Sequence, residues 1–404
     1  MNAVDDPFDL FTATALIDPY PIYEHLRRDA PLHRSRQGSV LVSRYRHVKD
    51  VLHHRSTVPV PPVVFDPSMV EPFIGDQLGE LAATFSRWMT FRSGADHHAL
   101  REVLRIGFRR PDLIRLEARI RSLVDEIIGH AEQAGTMDAV SDLAQPLPAR
   151  VIAELLGFPP ELHSAVGRWS RTTMSFFSDP THTDTTVIAA MLDLTRETTL
   201  VIEELLEMRL RAPRDDFLTS LALARENGRI DTTDTVANIL GLVFAGHETT
   251  ANLISTGLYL LLRHPRQARR LHDHPNCVPT AVEEILRYES PAPTIGRIAT
   301  QEFALEEQII HAGDPLVLLL GAANRDPESF DDPDVFDIGR HPNQHLAFAS
   351  GQHTCLGAPL ARIEARLVFA RVARWIDRAR LIDDAVVWRP SLAFRGLARL
   401  PIEL

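Results

Sequence analysis

The ten residues Phe348-Ala-Ser-Gly-Gln-His-Thr-Cys-Leu-Gly357 form the most specific pattern in this 404-residue chain. Gly351 permits a tight turn with positive φ, and Gly357 a second close approach of the backbone. Cys355 stands just before an amphipathic run, Leu356–Asp377, that reads as a helix. Free N–H groups and the dipole at a helix start favour thiolate over thiol. The other cysteine, Cys277, lies in a turn after Pro275. Two cysteines so placed build neither a disulfide framework nor a tetrahedral zinc or iron–sulfur site.

Upstream of this loop lies a long apolar helix. Asp231-Thr-Thr-Asp234 resembles an N-terminal cap with an acid in the first turn, and the run continues to about His264, before Pro265. At roughly 1.5 Å per residue it spans on the order of 45 Å. It is apolar on nearly every face from Val236 to Leu262, which predicts passage through the core. Ala245-Gly-His-Glu-Thr-Thr250 breaks that pattern by placing Gly246, Glu248 and Thr249 inside it, and broken local rules in a core helix mark function. His247-Glu-Thr-Thr-Ala251 begins like a zinc-protease helix but lacks the second histidine. An isolated Thr249 would more simply bond back to its own helix carbonyl.

Helical spacing also covers residues 15–30, His97–Phe108, Leu113–Ala134, Ala149–Leu156, Thr185–Leu210, Asp216–Glu226 and Thr280–Tyr288. Leu32–Arg36 and Ser39–Ser43 alternate as a small antiparallel pair, and short strands are expected near Arg297–Thr300, Phe303–Leu305 and Leu316–Leu320. Val58–Phe73 holds Pro59, Pro61, Pro62, Pro67 and Pro72, which rules out a regular helix or central strand and predicts a long apolar loop. A second long loop spans Ala322–Thr354, and a β-like tail ends the chain. The expected class is mainly α with small β-sheets.

Composition narrows the rest. Hydrophobic residues make up 45% and charged residues 24%, as in an ordinary globular protein. The net charge of −11 leaves no global basic footprint, so no nucleic-acid partner is expected. Met1–Leu10 has no apolar stretch preceded by basic residues, and the longest apolar runs, Ile239–Ala245 and Leu316–Ala323, are too short for a membrane span. A cytoplasmic protein without a membrane partner is the plain expectation. No linker or composition break divides the chain, so residues 1–404 are expected to form a single domain.

A lone thiolate suits the fifth ligand of a haem iron, whose other four positions come from the porphyrin. Phe348-x-x-Gly-x-x-x-Cys-x-Gly357, followed by Ala358-Pro-Leu-Ala-Arg362, is similar to the haem-binding signature of the cytochromes P-450. The soluble bacterial members commonly carry histidine where His353 stands. Ala349 departs from the glycine usual there, and a small steric adjustment is expected. Glu284-Ile-Leu-Arg287 with Arg340 resembles the family's Glu-x-x-Arg network, a structural lock on the ligand loop. His97 and Arg101, four apart on a helix, match its propionate-binding pair, and Arg297 matches a third propionate contact. Ala245–Thr250 looks like the acid–alcohol segment that makes room for dioxygen and relays protons.

The resemblance runs from about Pro19 to the C-terminus, with the motifs in the family's order. It implies the cytochrome P-450 fold, a single large domain with helix-rich and β-rich lobes, holding haem b (iron protoporphyrin IX). It assigns Cys355 to the metal, His97, Arg101, Arg297 and His353 to the cofactor, and Glu248 and Thr249 to catalysis. It further implies a monooxygenase that inserts one atom of O2 into a small hydrophobic substrate, with electrons from a ferredoxin and ferredoxin reductase. A peroxygenase or a haem-thiolate sensor would not need the acid–alcohol pair, which counts against both. Arg105, Arg109 and Arg110 extend the Arg101 face, either as a solvated stripe or as a basic patch steering an acidic ferredoxin. His272, His274, His341 and His345 read as loop residues without ligand spacing or acid partners. The substrate pocket is expected from residues 58–90, Met174, Phe176 and Phe177, the central helix and Pro291–Ile295, largely apolar throughout.

Overall fold

The spine of the molecule is the central helix Thr232–Arg263, of 32 residues, or about 48 Å. Asp231 caps it, its carboxylate accepting the N–H of Asp234 at 2.6 Å. Apolar residues cover the helix on every side, and most are buried because other helices enclose it. Its buried hydroxyls are satisfied internally: Ser255 donates to the carbonyl of Ala251 at 2.9 Å and Thr256 to that of Asn252 at 2.7 Å. Helices Pro146–Leu156, His163–Ser178, Val278–Tyr288 and Ala358–Val372 pack against it. Gly246 permits one of these approaches, since a β-carbon there would lie 2.8 Å from Cδ1 of Ile152.

The computed structural model describes residues 7–36, 38–60, 72–178, 184–382 and 385–404. Against the helical mass lies a five-stranded sheet ordered Leu32–Arg34, Val40–Val42, Pro315–Leu319, Thr294–Ala299, Thr57–Pro59. Only the pairing of Val40–Val42 with Pro315–Leu319 is parallel. The sheet presents Arg297 from Thr294–Ala299, opposite Leu316. Among the described residues no helix is long and apolar enough to cross a membrane.

Several boundaries differ from those predicted. Residues 61–71 of the proline-rich segment lie outside the described residues, but from Pro72 to Phe85 the chain is a helix. Proline is tolerated there at the first helical position. Pro59 sits on an edge strand, where no ladder donor is needed. Helices Tyr45–His53, His163–Ser178 and Pro265–Asp273 are additional to those expected, as is the hairpin strand Gln308–Ile310. The helix after the cysteine begins at Ala358, where Pro359 fixes the first turn, and ends at Val372. His345 and His272 do have acid partners: His345 lies 3.1 Å from Glu283 and His272 3.5 Å from Asp377. His272 lies within Pro265–Asp273 rather than in a loop.

The expected Glu284–Arg287–Arg340 network is present and fully engaged. Arg287 grips Glu284 at 2.8 and 2.9 Å, and Arg340 adds a third contact at 3.2 Å. Asn343 and the N–H of Asp337 donate to the same carboxylate at 3.1 and 2.9 Å. Arg287 reaches on to the carbonyls of Asn324 and Pro333, both at 2.8 Å. Both members of the first pair are buried, so removing either leaves an uncompensated charge worth roughly 3–5 kcal/mol. The network fastens the irregular segment after Asn324 to helix Val278–Tyr288, and Asn324 in turn accepts the N–H of Leu346 at 2.6 Å, at the doorstep of the cysteine loop.

Candidate active site

The cysteine loop is a closed turn. The N–H of Ala349 donates to Leu346 at 2.8 Å, that of Cys355 to Phe348 at 3.0 Å and that of Thr354 to Gly351 at 3.1 Å. Gly351 adopts φ +76, with the carbonyl of Leu52 3.2 Å from where a β-carbon would sit. Ala349, the departure noted in the sequence, is held at φ +54. The steric adjustment is therefore a strained left-handed alanine in an otherwise intact loop.

The Cys355 sulfur accepts the N–H groups of Gly357 and Ala358 at the helix start. Cys355 itself is exposed; the surrounding protein atoms still raise its thiol above the ordinary value, with those N–H groups and the charges of Arg101 and Arg362 pulling the other way. A coordinated metal deprotonates such a thiol outright.

A second helix and the sheet bring three basic groups, His97, Arg101 and Arg297, to the loop that carries His353. His97 and His353 stack with ring centroids 4.0 Å apart, and Arg101 donates to the carbonyl of Thr354 at 2.8 Å. Arg297 is 5% exposed and donates to the carbonyl of Gly296 at 3.1 Å. Among the described residues no acid answers it, and burial lowers its guanidinium to about 10. Burial, with the charges of His97, Arg297 and Arg101, lowers His353 to about 3. Nε2 of His97 is buried with no hydrogen-bond partner among the described residues. A buried cluster of unpaired donors is costly unless anions complete it. A ligand with two carboxylates beside a thiolate-binding metal fits these residues, as the propionates of haem b would. Among the described residues no group of three or more His, Cys, Asp or Glu side chains is placed to hold a metal ion without such a macrocycle.

The central helix contributes the third element. Along an otherwise buried stretch, Ala245 is exposed and Thr249 half-buried, one turn apart on an accessible strip. Thr249 does bond back to its helix, donating to the carbonyl of Ala245 at 2.6 Å. Glu248 lies wholly buried, accepting from Gln145 at 3.3 Å and Arg389 at 3.1 Å. Beside this strip an aromatic wall assembles: Phe244 meets Phe177 and Phe394, both at 5.4 Å, and Trp88 at 5.9 Å. Asn238 clips the backbone on both sides of Trp88, accepting from Met89 at 2.6 Å and donating to Arg87 at 2.9 Å. Of the anticipated lining, Met174, Phe176 and Phe177 are all buried, and Phe176 and Phe177 both join the aromatic cluster through Phe85.

Some participants escaped the sequence reading. Glu283 receives Arg362 at 2.7 Å on each oxygen and His345 at 3.1 Å. The Arg362 guanidinium covers the Phe348 ring at 4.5 Å. Arg362 was quoted as part of the motif, and a second acid beside Glu284 was the available signal. Arg389, 141 positions from Glu248, left none.

Comparison with known proteins agrees with this geometry. The family model described as Cytochrome P450 matches residues 161–274 and 276–374. The biotin biosynthesis cytochrome P450 of Bacillus subtilis is 32% identical over 397 residues, covering 96% of each chain. The 6-deoxyerythronolide B hydroxylase of Saccharopolyspora erythraea is 33% identical over 405 residues, covering 98% of each. Among solved structures, P450BioI in complex with a fatty-acid-ligated acyl carrier protein superposes with a TM-score of 0.88 at 30% identity, over 97% of this chain and 100% of that one. CalO2 gives 0.88 at 33% identity, over 99% and 98%. Matched by these relatives along nearly its whole length and in fold, the chain belongs to the cytochrome P450 family of haem b monooxygenases.

Proposed function

We propose that this enzyme inserts one oxygen atom from O2 into a hydrophobic small molecule, with two electrons delivered by a ferredoxin that a ferredoxin reductase recharges. The observation that carries the site assignment is the meeting of Cys355, accepting two helix N–H groups, with His97, Arg101, Arg297 and His353, where among the described residues Nε2 of His97 has no hydrogen-bond partner and Arg297 no acid. In this reading Cys355 is the protein's ligand to the metal and the four basic residues hold the propionates. Haem b, when bound, supplies the redox centre at which dioxygen is activated.

The protein's own part is to hold, exclude and deliver. Thr249 presents a hydroxyl on the accessible strip while its proton rests on the Ala245 carbonyl, so its oxygen is free to accept a further hydrogen bond. Glu248 follows as the acid of the relay, a form of general acid work. The aromatic wall of Phe85, Trp88, Phe177, Phe244 and Phe394 supports an apolar substrate, since it offers large ring surfaces and few polar partners. Relatives named for biotin biosynthesis, for polyketide biosynthesis and as a 6-deoxyerythronolide B hydroxylase support an organic small-molecule substrate. Arg105, Arg109 and Arg110 are all exposed, and support a basic docking face for an acidic electron donor.

The ligand assignment is tested by reducing the holo-protein under carbon monoxide. The far-red-shifted absorption that thiolate ligation produces is expected, and it should vanish in Cys355→Ala. Its survival in that variant would overturn the assignment.

A further inference from the structure

One cation beside the cysteine loop has no part in the cofactor set assembled above. Arg362 stands about two turns beyond Cys355, on helix Ala358–Val372. Its guanidinium lies 4.5 Å from the centre of the Phe348 ring. Phe348 is also the residue whose carbonyl accepts the Cys355 N–H, at 3.0 Å. The cation therefore rests against the turn that presents the sulfur. Its charge is one of those that draw the Cys355 thiol toward the thiolate.

An anion holds it there. Glu283 accepts Nε and Nη2 of Arg362 at 2.7 Å, one on each oxygen, which fixes the plane of the guanidinium. His345 steadies the carboxylate: its Nδ1 accepts the N–H of Ala347 at 3.2 Å, so Nε2 carries the proton and meets Glu283 at 3.1 Å. Against burial, Arg362 and His345 hold the Glu283 carboxyl at about 2, so the pair stays charged at neutral pH. The side chains of Arg362 and Glu283 are 31% and 24% exposed, and water screens them only in part. The bridge is thus a fixed dipole, with its positive end on Phe348 and its negative end on helix Val278–Tyr288.

We propose that the charge of Arg362, held over Phe348 with Glu283 as its positioning residue, sets how readily the haem–thiolate centre accepts its first electron. This rests on the reading of Cys355 as the metal ligand. The balance is simple: one electron leaves the reduced ferredoxin and stays at that centre, with no bond made or broken and no proton moved. The centre gains one negative charge, which a nearby cation favours and a nearby anion disfavours. The ring contact and the two-point grip on Glu283 need a planar guanidinium, whereas the electrostatic effect needs only a positive charge. Experiment separates the two.

The test is a reductive titration of the substrate-free holoenzyme against dyes of known potential. Arg362→Gln should make the first reduction on the order of tenfold less favourable, a fall of about 59 mV for one electron. Glu283→Gln should move the potential the opposite way, and the double variant should fall between the two. Arg362→Lys, which keeps the charge, should stay within about threefold of wild type. The carbon monoxide spectrum should keep its thiolate band in every variant. Shifts of the same sign in Arg362→Gln and Glu283→Gln, or no shift in either, overturn the proposal, because a disturbed loop has no reason to follow the sign of the charge removed. Should Arg362→Gln lose haem, Glu283→Gln decides alone, and an unchanged or lowered potential there overturns it. A wild-type protein without the thiolate band would instead sink the ligand assignment underneath.

Discussion

Glu283 and Arg362 form a parallel, two-oxygen pair at 2.7 Å on each side, tying helix Val278–Tyr288 to the first turns of the cysteine helix. Burial would raise the Glu283 carboxyl, but hydrogen bonds and charge from Arg362 and His345 outweigh it and hold it at about 2. The unfolded carboxyl titrates near the ordinary value of about 4.3. The stabilisation is therefore complete above that range and drains away as the pH falls toward 2. Glu283→Gln should cost on the order of 2 kcal/mol near neutral pH, with the gap to wild type closing in acid. Denaturant titrations at neutral pH and at the lowest pH where the fold persists give the comparison.

Arg297 behaves oppositely, because among the described residues it is a buried cation without an acid. Arg297→Leu should leave the haem-free protein at least as stable as wild type, since an uncompensated charge is removed. The same change should speed haem loss to a scavenging apoprotein by roughly 10- to 100-fold, the equivalent of one charged hydrogen bond. Equal haem retention in the two proteins would remove Arg297 from the propionate set.

Ala349 occupies a backbone region that costs an L-residue about 1–2 kcal/mol. Ala349→Gly relieves that strain but gives the unfolded chain more freedom, worth about 0.4–1 kcal/mol. The expected net is a stability gain of about 0.5–1 kcal/mol in urea unfolding, with the thiolate spectrum unchanged.

Thr249→Ala removes the hydroxyl from the accessible strip while the helix, held by its packing, stays intact. Peroxide released per electron consumed should rise several-fold, and Thr249→Ser should restore coupling. Complete coupling in the alanine variant would refute the relay role.

Arg109 and Arg110 are exposed at the start of helix Arg110–Ala134. Reversing both to Glu should slow first-electron transfer from an acidic ferredoxin by about tenfold at low salt. The difference should fade as salt screens the encounter. Stopped-flow reduction rates unchanged at every ionic strength would leave these arginines as ordinary surface residues.

What the sequence disclosed and what it concealed divide along physical lines. The cysteine loop was legible because its chemistry is local: a turn glycine, a thiol and a helix start within ten residues. The central helix was legible because Asp231 marks its beginning and Pro265 follows its end. His163–Ser178 was not, since Gly167, Thr172 and Thr173 weaken its helical preference. Tertiary burial of Trp169 and Phe176 decides it instead. Pro265–Asp273 hid because only Ala268 and Leu271 of its nine residues are buried. The Arg389–Glu248 and Glu283–Arg362 pairs hid for another reason: they join segments 141 and 79 positions apart, and no local pattern encodes them.

The clip that Asn238 makes around Trp88 sets how this enzyme can adapt. One amide fastens the main chain fore and aft of the indole, so that ring is a fixed post on the central helix. Differently shaped molecules have to be met at the other rings of the wall, Phe177 and Phe394. Altering breadth of substrate choice is therefore a matter of those neighbours, and loosening Asn238 would trade a firm wall for a wandering one.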